Sequence, residues 1–379
     1  MVTDKKNKTI IIATGASGGH IFPALAVAEE LSLQGYNCVF VGNGKGFKHV
    51  ITDAGFRFID LPASPWNVRN PLRKLLAVFN LIRAFMRAFK VVHTERASAV
   101  FGTGGYATVA TMIAGRLSGI PTCVQEQNVL PGRANRMLAK WVDKVCLSFD
   151  ASRHYLKYRD NIMVLCGNPL RKQVLDVINA KRNEDGLFHI LIMGGSQGAR
   201  ILSDVLPEAI KLLKKDLQEK VSITQQARPE DVKRVQEAYE ALNVKAEVAS
   251  FFDDVPQRMI NTHLVVARSG ASTVTECAAL GRAAVFVPLR LADGHQIHNA
   301  RVLENKEAAV VLEQAHFTPE RLSQVIADLM IDKTHLSHME ENARAMAMPD
   351  AALNVAKEVM QLAEQDVMHL AQEVVQDGN

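Results

Sequence analysis

The 379-residue sequence predicts an α/β fold with two domains, each a parallel sheet covered by helices. Short apolar runs that end in glycine alternate with helical patterns along the chain, which is typical of parallel sheets. The length exceeds that of one typical core, so two domains are the default. The pattern also restarts at Phe188–Leu206, where four consecutive apolar residues precede a glycine turn and a new helix.

Composition narrows the class of protein. Hydrophobic residues make up 48% and charged residues 22% of the chain, as in a soluble globular protein. No apolar run approaches the roughly 20 residues that span a bilayer, and the first residues lack the pattern of a signal peptide. The five cysteines show no metal-ligand spacing, which favours reduced thiols in a cytosol.

Charge is distributed unevenly along the chain. Residues 1–170 contain 21 Lys and Arg against 10 Asp and Glu, a surplus of +11, and the remainder carries −7. A basic half is expected to meet something anionic: membrane lipid, nucleic acid or a phosphorylated substrate.

The first half opens as a βαβ unit with a glycine turn, as in nucleotide-binding folds. Thr9–Thr14 is a buried strand, small residues turn at 15–20, a helix runs from about Pro23 to Gln34, and Asn37–Val41 is the second strand. The turn is not GxGxxG and no acidic residue follows the second strand. Both defects recur in the second half, so a dinucleotide cofactor is disfavoured and no cofactor is expected. The other predicted elements are strands at Ala99–Phe101, Pro121–Val124, Lys144–Leu147 (a short edge strand), Ile162–Leu165, Val221–Thr224, Ala246–Ala249, Leu264–Ala267 and Ala284–Pro288, a linker at Gly167–Asp185, and a helical tail from Ala351 to about Val375.

The stretch Phe188–Leu206 has the sequence features of an anion site. Gly194 and Gly195 end the strand, and a helix with Ile201, Leu202, Val205 and Leu206 on one face follows. Free backbone N–H groups and the helix dipole favour negative charge at such a turn. The alternative is a tight βα turn that binds nothing.

Two polar segments of the second half predict contacts with hydroxyl groups of a ligand. After the strand Leu264–Ala267, Ser272 or Thr273 is expected to cap a helix, which puts Glu276 in its first turn, where a carboxylate can bind a ribose diol. The alternative is that Glu276 only complements the helix dipole. The loop Pro288–Asn299 offers hydroxyl-binding groups at Asp293, His295, Gln296 and Asn299. Metal binding by His295 and His298 is the weaker alternative, and Asp253–Asp254 are interpreted as helix N-caps, so no metal site is expected.

His20 lies at the first glycine turn and has the intrinsic pKa of a base that works near pH 7. The alternative is a structural histidine at a helix N-terminus. Glu126 is the second candidate base.

The segment Pro71–Lys90 predicts an amphipathic helix with one apolar stripe. Six basic residues and no acidic residue lie between Leu61 and Thr94, and Leu81 and Phe85 are additional apolar residues outside the stripe. This combination favours contact with anionic lipid, although a core helix would also need a stripe. The residues expected at the membrane are Leu75, Phe79, Ile82, Arg73, Lys74, Arg83 and Arg87.

Eight motifs in order resemble the MurG family of bacterial lipid II-forming N-acetylglucosamine transferases. They are SGGHIFPALAVAEEL (17–31), GTGGY (102–106), QEQN (125–128), GNPLR (167–171), GGSQGAR (194–200), FFDD (251–254), RSGASTVTE (268–276) and HQIHNA (295–300). The first turn reads GASGGH where many relatives have GGTGGH, and the family often has an aliphatic residue at the position of Phe252.

The resemblance implies the GT-B architecture, in which two Rossmann-like domains face a central cleft. It implies an acceptor- and membrane-facing domain at 1–168, a UDP-N-acetylglucosamine domain at 169–349, and a C-terminal helix (350–379) that packs back on the first domain. Matched motif by motif, the donor contacts fall on Ser17, Gly18, Gly19, Asn128, Arg171, Ser196, Gln197, Phe252, Glu276 and Gln296. The acceptor pyrophosphate would meet Gly102, Gly104, Gly105 and Tyr106.

The activity implied is an inverting transfer from UDP-N-acetylglucosamine to the C4 hydroxyl of the lipid I acceptor, with His20 as base and Glu126 second. Backbone N–H groups at Gly194–Gln197 would stabilise the UDP leaving group without a metal. The implied partners are both substrates and an anionic membrane surface at the cytoplasmic face of the bacterial plasma membrane. Cell-wall synthesis and cell-division proteins are allowed as further partners, whereas nucleic acid is not expected. Two alternatives stay open: a UDP-sugar 2-epimerase of similar architecture, and a non-catalytic, membrane-recruited module that binds nucleotide sugars.

Overall fold

The computed structural model describes residues 8–43, 48–62, 71–156, 159–195, 198–289 and 294–376, without the side chains of 71–76 and 365–376. The chain forms two compact units. The first contains Met1–Arg171 and Met348–Asn379, and the second contains Lys172–Ala347.

The first unit is built on a seven-stranded parallel sheet. Its elements are β1 Thr9–Thr14, α1 Gly18–Leu33, β2 Asn37–Gly42, α2 Lys48–Asp53, β3 Arg57–Asp60, α3 Pro71–Thr94, β4 Ala97–Gly102, α4 Tyr106–Leu117, β5 Thr122–Glu126, α5 Arg133–Leu138, β6 Lys144–Leu147, β7 Met163–Leu165 and, at the end of the chain, α15 Ala351–Gln376. The strand order is β3-β2-β1-β4-β5-β6-β7. Along β1 the side chains alternate between two buried layers, as the period of a strand requires. Ile10 and Ile12 pack with helices α1 and α15 on one face, and Ile11 and Ala13 pack with α3 and α4 on the other.

Helix α15 is held to the first unit by polar contacts as well as apolar ones. Lys144 forms an ion pair with Glu358 at 2.9 Å, and the Tyr36 hydroxyl donates a hydrogen bond to Glu364 at 3.2 Å. Burial and the charge of Glu364 raise the pKa of Tyr36 to about 12. The last helix thus covers one face of the N-terminal sheet.

The second unit is built on a six-stranded parallel sheet. Its elements are α6 Lys172–Leu175, β8 Phe188–Met193, α7 Arg200–Lys211, α8 Lys215–Gln218, β9 Val221–Gln226, α9 Val232–Ala241, β10 Lys245–Ala249, α10 Val255–Ile260, β11 Leu264–Ala267, α11 Ala271–Leu280, β12 Ala283–Phe286, α12 His295–Glu304, β13 Ala309–Val311, α13 Pro319–Ile331 and α14 Lys333–Ala345. The strand order is β10-β9-β8-β11-β12-β13. One buried cluster joins strands to helix α7 and includes Ile190, Ile192, Leu264, Leu202 and Leu206. Together the two sheets confirm the predicted class of two Rossmann-like domains.

Several element boundaries differ from the sequence prediction. Helix α1 begins at Gly18 rather than Pro23, because the backbone oxygen of Ser17 accepts hydrogen bonds from His20 N and Ile21 N. Strand β6 is not an edge strand, since it pairs with both β5 and β7. The short outer strands β3 and β13 were not predicted. Among the described helices, none combines the length and apolarity that crossing a bilayer requires.

Candidate functional site

Each sheet has a point where the strand order reverses, and the predicted glycine turns lie there. In the first sheet the reversal falls between β1 and β4, and in the second between β8 and β11. Ligands of open α/β sheets bind outside the carboxyl ends of strands at such a switch point. The loops at 15–17 and 103–105, and those at 194–199 and 268–270, are therefore the candidate sites of the two units.

In the first unit, glycines allow the two switch-point loops to touch. A Cβ atom on Gly105 would lie 2.7 Å from Gly15 Cα. A Cβ atom on Gly104 would lie 3.0 Å from His20 Cε1 and 3.3 Å from His20 Nδ1. Thr103 adds a hydrogen bond from its hydroxyl to the hydroxyl of Thr14 at 3.1 Å. The imidazole of His20 is thus held against the backbone of both loops.

His20 is set up to be neutral. Burial lowers its pKa, and the charge of Glu126, the backbone of Thr103 and the side chain of Gln127 oppose this only in part. Its Nδ1 atom is buried and finds no hydrogen-bond partner among the described residues. A neutral imidazole is the form that can accept a proton at pH 7.

Glu126, the other candidate base, is buried at the end of β5 and uses its carboxylate to hold a loop. One oxygen accepts hydrogen bonds from Asn128 N at 2.8 Å and Asn128 Nδ2 at 3.2 Å. The other accepts from Gly132 N at 3.0 Å and Asn135 Nδ2 at 2.8 Å. Four donors occupy the lone pairs that a base would offer, so the geometry favours His20 over Glu126.

The residues predicted at the acceptor pyrophosphate lie where β4 passes into α4, but they do not share one role. A Cβ atom on Gly102 would lie 2.5 Å from Thr108 Cγ2, so this glycine serves helix packing. Gly105 is the N-cap of α4, and Tyr106, its first residue, has an exposed ring. Among these residues, the backbone N–H groups at the start of α4 are best suited to donate hydrogen bonds to an anion.

The predicted donor contacts in the first unit lie on the same edge of its sheet. Ser17 is the exposed N-cap of α1, and Gly18 and Gly19 form its first turn, with open space beside Gly19. Asn128 is tied to Glu126 as described above. The guanidinium of Arg171 stacks 5.6 Å from the ring centroid of Phe22, one turn into α1.

In the second unit, the turn after β8 is compact enough to require glycine. Gly194 packs directly on the backbone of Ala199 and Gly198, and Gly195 and Gly198 have positive φ of +80° and +66°. Helix α7 starts at Arg200, immediately after this turn. Ser196 and Gln197 lie outside the described residues.

Glu276 and Gln296 are placed by neighbouring helices. Glu276 is buried on α11, which begins at Ala271 with Gly270 as N-cap. The prediction that Ser272 or Thr273 caps this helix was wrong, and Glu276 lies in its second turn, because the helix starts directly after Gly270. On α12 the Gln296 side-chain oxygen accepts a hydrogen bond from Leu289 N at 2.9 Å, and its backbone oxygen accepts one from Ser269 at 2.9 Å.

The predicted loop Pro288–Asn299 ends earlier than expected, because helix α12 begins at His295. Asn299 is fully buried on α12, and its Nδ2 donates a hydrogen bond to the Ser269 backbone oxygen at 3.3 Å, which ties this helix to the loop at 268–270. Asp293 lies outside the described residues. Within the described ranges, no group of three or more His, Cys, Asp or Glu side chains could hold a metal ion.

Phe252 is buried after β10, with the Arg258 guanidinium 4.2 Å from its ring centroid. Its ring is therefore covered by the Arg258 side chain. Asp254 is the N-cap of α10, but its carboxylate makes no cap hydrogen bond and accepts one from Arg258 Nε at 2.6 Å.

Helix α3 has two apolar faces. Ala84, Ala88 and Val92 are buried in the core, and Leu81 and Phe85 pack against it. The predicted stripe instead faces solvent: Phe79, Ile82 and Met86 are 55%, 53% and 66% exposed. Leu81 and Phe85, which the sequence analysis counted in favour of a lipid-facing surface, are partly buried against the core and so do not support that argument. Arg83 and Arg87 are exposed, and the side chains of Arg73, Lys74 and Leu75 are outside the described set.

Sequence reasoning missed two features of the first unit. Asn135 donates a hydrogen bond to Glu126 and another to the Gln125 backbone oxygen at 3.0 Å, yet no sequence motif marks it. Helix α4, which packs beside α3, adds exposed Ile113 and Leu117. The sequence analysis did not single out these two residues, because exposure cannot be told from periodicity alone.

The two parallel-sheet domains and their glycine turns define the GT-B class of glycosyltransferases. The model of the glycosyltransferase family 28 N-terminal domain matches residues 10–147, and that of the C-terminal domain matches residues 189–355.

Among curated proteins, the chain is 38% identical over 366 residues to the UDP-N-acetylglucosamine--N-acetylmuramyl-(pentapeptide) pyrophosphoryl-undecaprenol N-acetylglucosamine transferase of Rhodospirillum rubrum, covering 94% of this chain and 93% of that protein. It is also 38% identical to the transferase of the same name from Paramagnetospirillum magneticum, with 93% and 96% covered. The chain therefore belongs to this transferase family within glycosyltransferase family 28.

Solved structures agree. The crystal structure of MurG from Acinetobacter baumannii aligns with a TM-score of 0.78 at 31% identity, covering 93% of this chain and 99% of that one. A UDP-GlcNAc 2-epimerase from Neisseria meningitidis aligns with a TM-score of 0.67 at 12% identity, covering 94% of this chain and 100% of that one, a likeness of fold alone.

Proposed function

We propose that the protein transfers N-acetylglucosamine from UDP-N-acetylglucosamine to the C4 hydroxyl of the MurNAc sugar in undecaprenyl-pyrophosphoryl-MurNAc-pentapeptide, lipid I, and so forms lipid II. The observation that carries this proposal is the similarity to transferases of that name over nearly the whole chain. In this proposal the first unit serves the lipid acceptor and the second unit holds the donor.

His20 is the proposed base. Burial keeps its imidazole neutral, so it can take the proton of the acceptor hydroxyl as that oxygen attacks the anomeric carbon. The negative charge of Glu126 then favours the imidazolium that forms. Glu126 acts as a positioning residue, because four hydrogen bonds engage its carboxylate.

The donor is proposed to bind at the carboxyl end of the second sheet. The turn after β8 and the start of α7 would receive the diphosphate, since a helix N-terminus and its free N–H groups favour anions. The contacts proposed from the family motifs are Glu276 at the ribose diol, Gln296, the backbone of Phe252, and Ser196 and Gln197. Those proposed in the first unit are Ser17, Gly18, Gly19, Asn128 and Arg171. Gly104, Gly105 and Tyr106, at the start of α4, are proposed for the acceptor pyrophosphate, whereas the predicted Gly102 makes room for Thr108.

The acceptor's polyprenyl chain requires contact with a membrane, which we place at the outer face of α3 and at the cytoplasmic side of the plasma membrane. Phe79, Ile82 and Met86 are exposed on this helix, and the Arg83 guanidinium lies 5.8 Å from the Phe79 ring centroid. Exposed apolar side chains next to cations are the combination that binds anionic bilayers.

Release of UDP with and without acceptor tests the proposal. A transferase consumes UDP-N-acetylglucosamine only when a short-chain lipid I analogue is present, and the disaccharide accumulates with the UDP. A 2-epimerase would convert the donor without acceptor, and a binding module would release nothing. Either of these two results would replace the proposed activity.

A further inference from the structure

Arg228 lies beside the glycine turn of the second unit. It follows β9, and β9 runs parallel to β8, so the carboxyl ends of the two strands meet at one edge of the sheet. A Cβ atom on Gly198 would lie 2.8 Å from Arg228 Cγ and 3.3 Å from Arg228 N. The aliphatic stem of this arginine therefore rests on the turn that leads into α7.

The guanidinium of Arg228 lacks the partners that its neighbours have. Its Nε atom is buried and has no hydrogen-bond partner in the described part of the chain, where no ion pair of this side chain is found either. Arg234, in the first turn of α9, instead pairs with Asp204 and Asp231, each at 2.8 Å. A buried donor without a partner costs free energy, so an acceptor from outside the chain is the simplest explanation.

We propose that Arg228 donates hydrogen bonds to the diphosphate of the nucleotide sugar bound beside Gly198, at the start of α7. The proposal rests on the proposed function. When the bond from the anomeric carbon to the β-phosphate oxygen breaks, its electron pair stays on that oxygen, while the acceptor oxygen bonds to the carbon and gives its proton to His20. A planar guanidinium matches phosphate oxygens and strengthens its hydrogen bonds as their charge grows.

Binding of UDP and of uridine to Arg228→Gln tests this assignment. A charge-assisted hydrogen bond that is lost corresponds to an affinity change of about 10- to 150-fold. We expect the Kd of UDP to rise by that factor and the Kd of uridine to stay unchanged, because uridine has no phosphate. Arg228→Lys should recover part of the UDP affinity. Arg234→Gln is the matched control, since its guanidinium already has two carboxylate partners, and it should bind UDP as the parent does.

Three results would overturn the assignment. The first is an equal Kd of UDP in Arg228→Gln and Arg234→Gln. The second is an equal loss of affinity for UDP and for uridine in Arg228→Gln, which indicates a distorted turn. The third is a fall of the melting temperature alone, which indicates that Arg228 serves the second carboxylate oxygen of Asp231, an atom that is buried and without a hydrogen bond in the described residues. Failure of the parent protein to bind UDP would instead contradict the proposed function itself, so the two failures are distinguishable.

Discussion

Replacement of Gly104 by alanine probes the packing that holds His20. Gly104 has φ +106°, and the new methyl group would lie 3.0 Å from His20 Cε1 and 3.3 Å from Nδ1. An L-residue at such a φ costs on the order of 1–3 kcal/mol, and the contact must in addition push the imidazole away. Since a misplacement of about 1 Å can cost roughly 100-fold in rate, we expect kcat to fall by about 10- to 100-fold.

Gly119→Ala is the matched control for this experiment. Gly119 also has positive φ, +74°, but a Cβ atom there would meet nothing within 4 Å. Both variants should lose stability in thermal melts, whereas only Gly104→Ala should lose kcat in the transfer assay. In a His20→Ala background, at saturating acceptor, the Gly104→Ala change should no longer alter kcat, because contacting residues are coupled. Equal kcat losses with and without His20 would refute the argument.

Three further predictions concern the donor, the membrane and pH. Glu276→Ala should raise the KM for UDP-N-acetylglucosamine by about 10- to 150-fold through loss of a charged hydrogen bond, without changing the acceptor KM; an unaltered donor KM would remove this residue from the site. Replacing Arg83 and Arg87 by glutamine should weaken binding to anionic vesicles, measured by sedimentation, by about 2 kcal/mol or roughly 30-fold, since each cation contributes on the order of 1 kcal/mol. Activity on a soluble acceptor should be retained, and vesicle binding equal to the parent's would place the membrane contact elsewhere. Because burial lowers the pKa of His20, kcat/KM should decline only below about pH 6.5, the ordinary histidine value. The same shift makes the unfolded chain bind the proton more readily than the folded chain, so the free energy of unfolding should decrease as the pH is lowered from about 6.5 towards the folded-state pKa. A decline of kcat/KM that begins at or above pH 7 would contradict a neutral buried base.

Much of the fold could be predicted because buried parallel strands are continuous apolar runs that end in glycine. Strands β1 and β8 both have this form. The outer strands β3 and β13 were missed, because RFID and AVV are short and resemble loop or helix sequence. The start of α1 was missed since glycine and proline in Gly18–Pro23 argue against a helix, whereas Ser17 closes the first turn through its backbone.

The candidate site could be located from sequence but not resolved into roles. Motifs identified His20 and Glu126 together, and the two proposed roles, base and positioning residue, are distinguished only by the four hydrogen bonds to the Glu126 carboxylate. The glycines at 102–105 were predicted to let a ligand approach the backbone, yet Gly102 lacks a Cβ because the side chain of Thr108 occupies that space. Arg228 belongs to no motif, so the sequence could not single it out. It became a candidate only because the structure shows its Nε buried without a hydrogen-bond partner among the described residues.

The most direct test of the account is the anomeric configuration and linkage of the product formed from UDP-N-acetylglucosamine and a short-chain lipid I analogue. A single displacement by an acceptor hydroxyl that His20 deprotonates inverts the α-configured donor. We therefore expect NMR to show a β-linked disaccharide at C4 of the MurNAc sugar, and we expect this product to be lost in His20→Ala. An α-linked product, or a β-linked product formed at the parent rate by His20→Ala, would contradict this expectation.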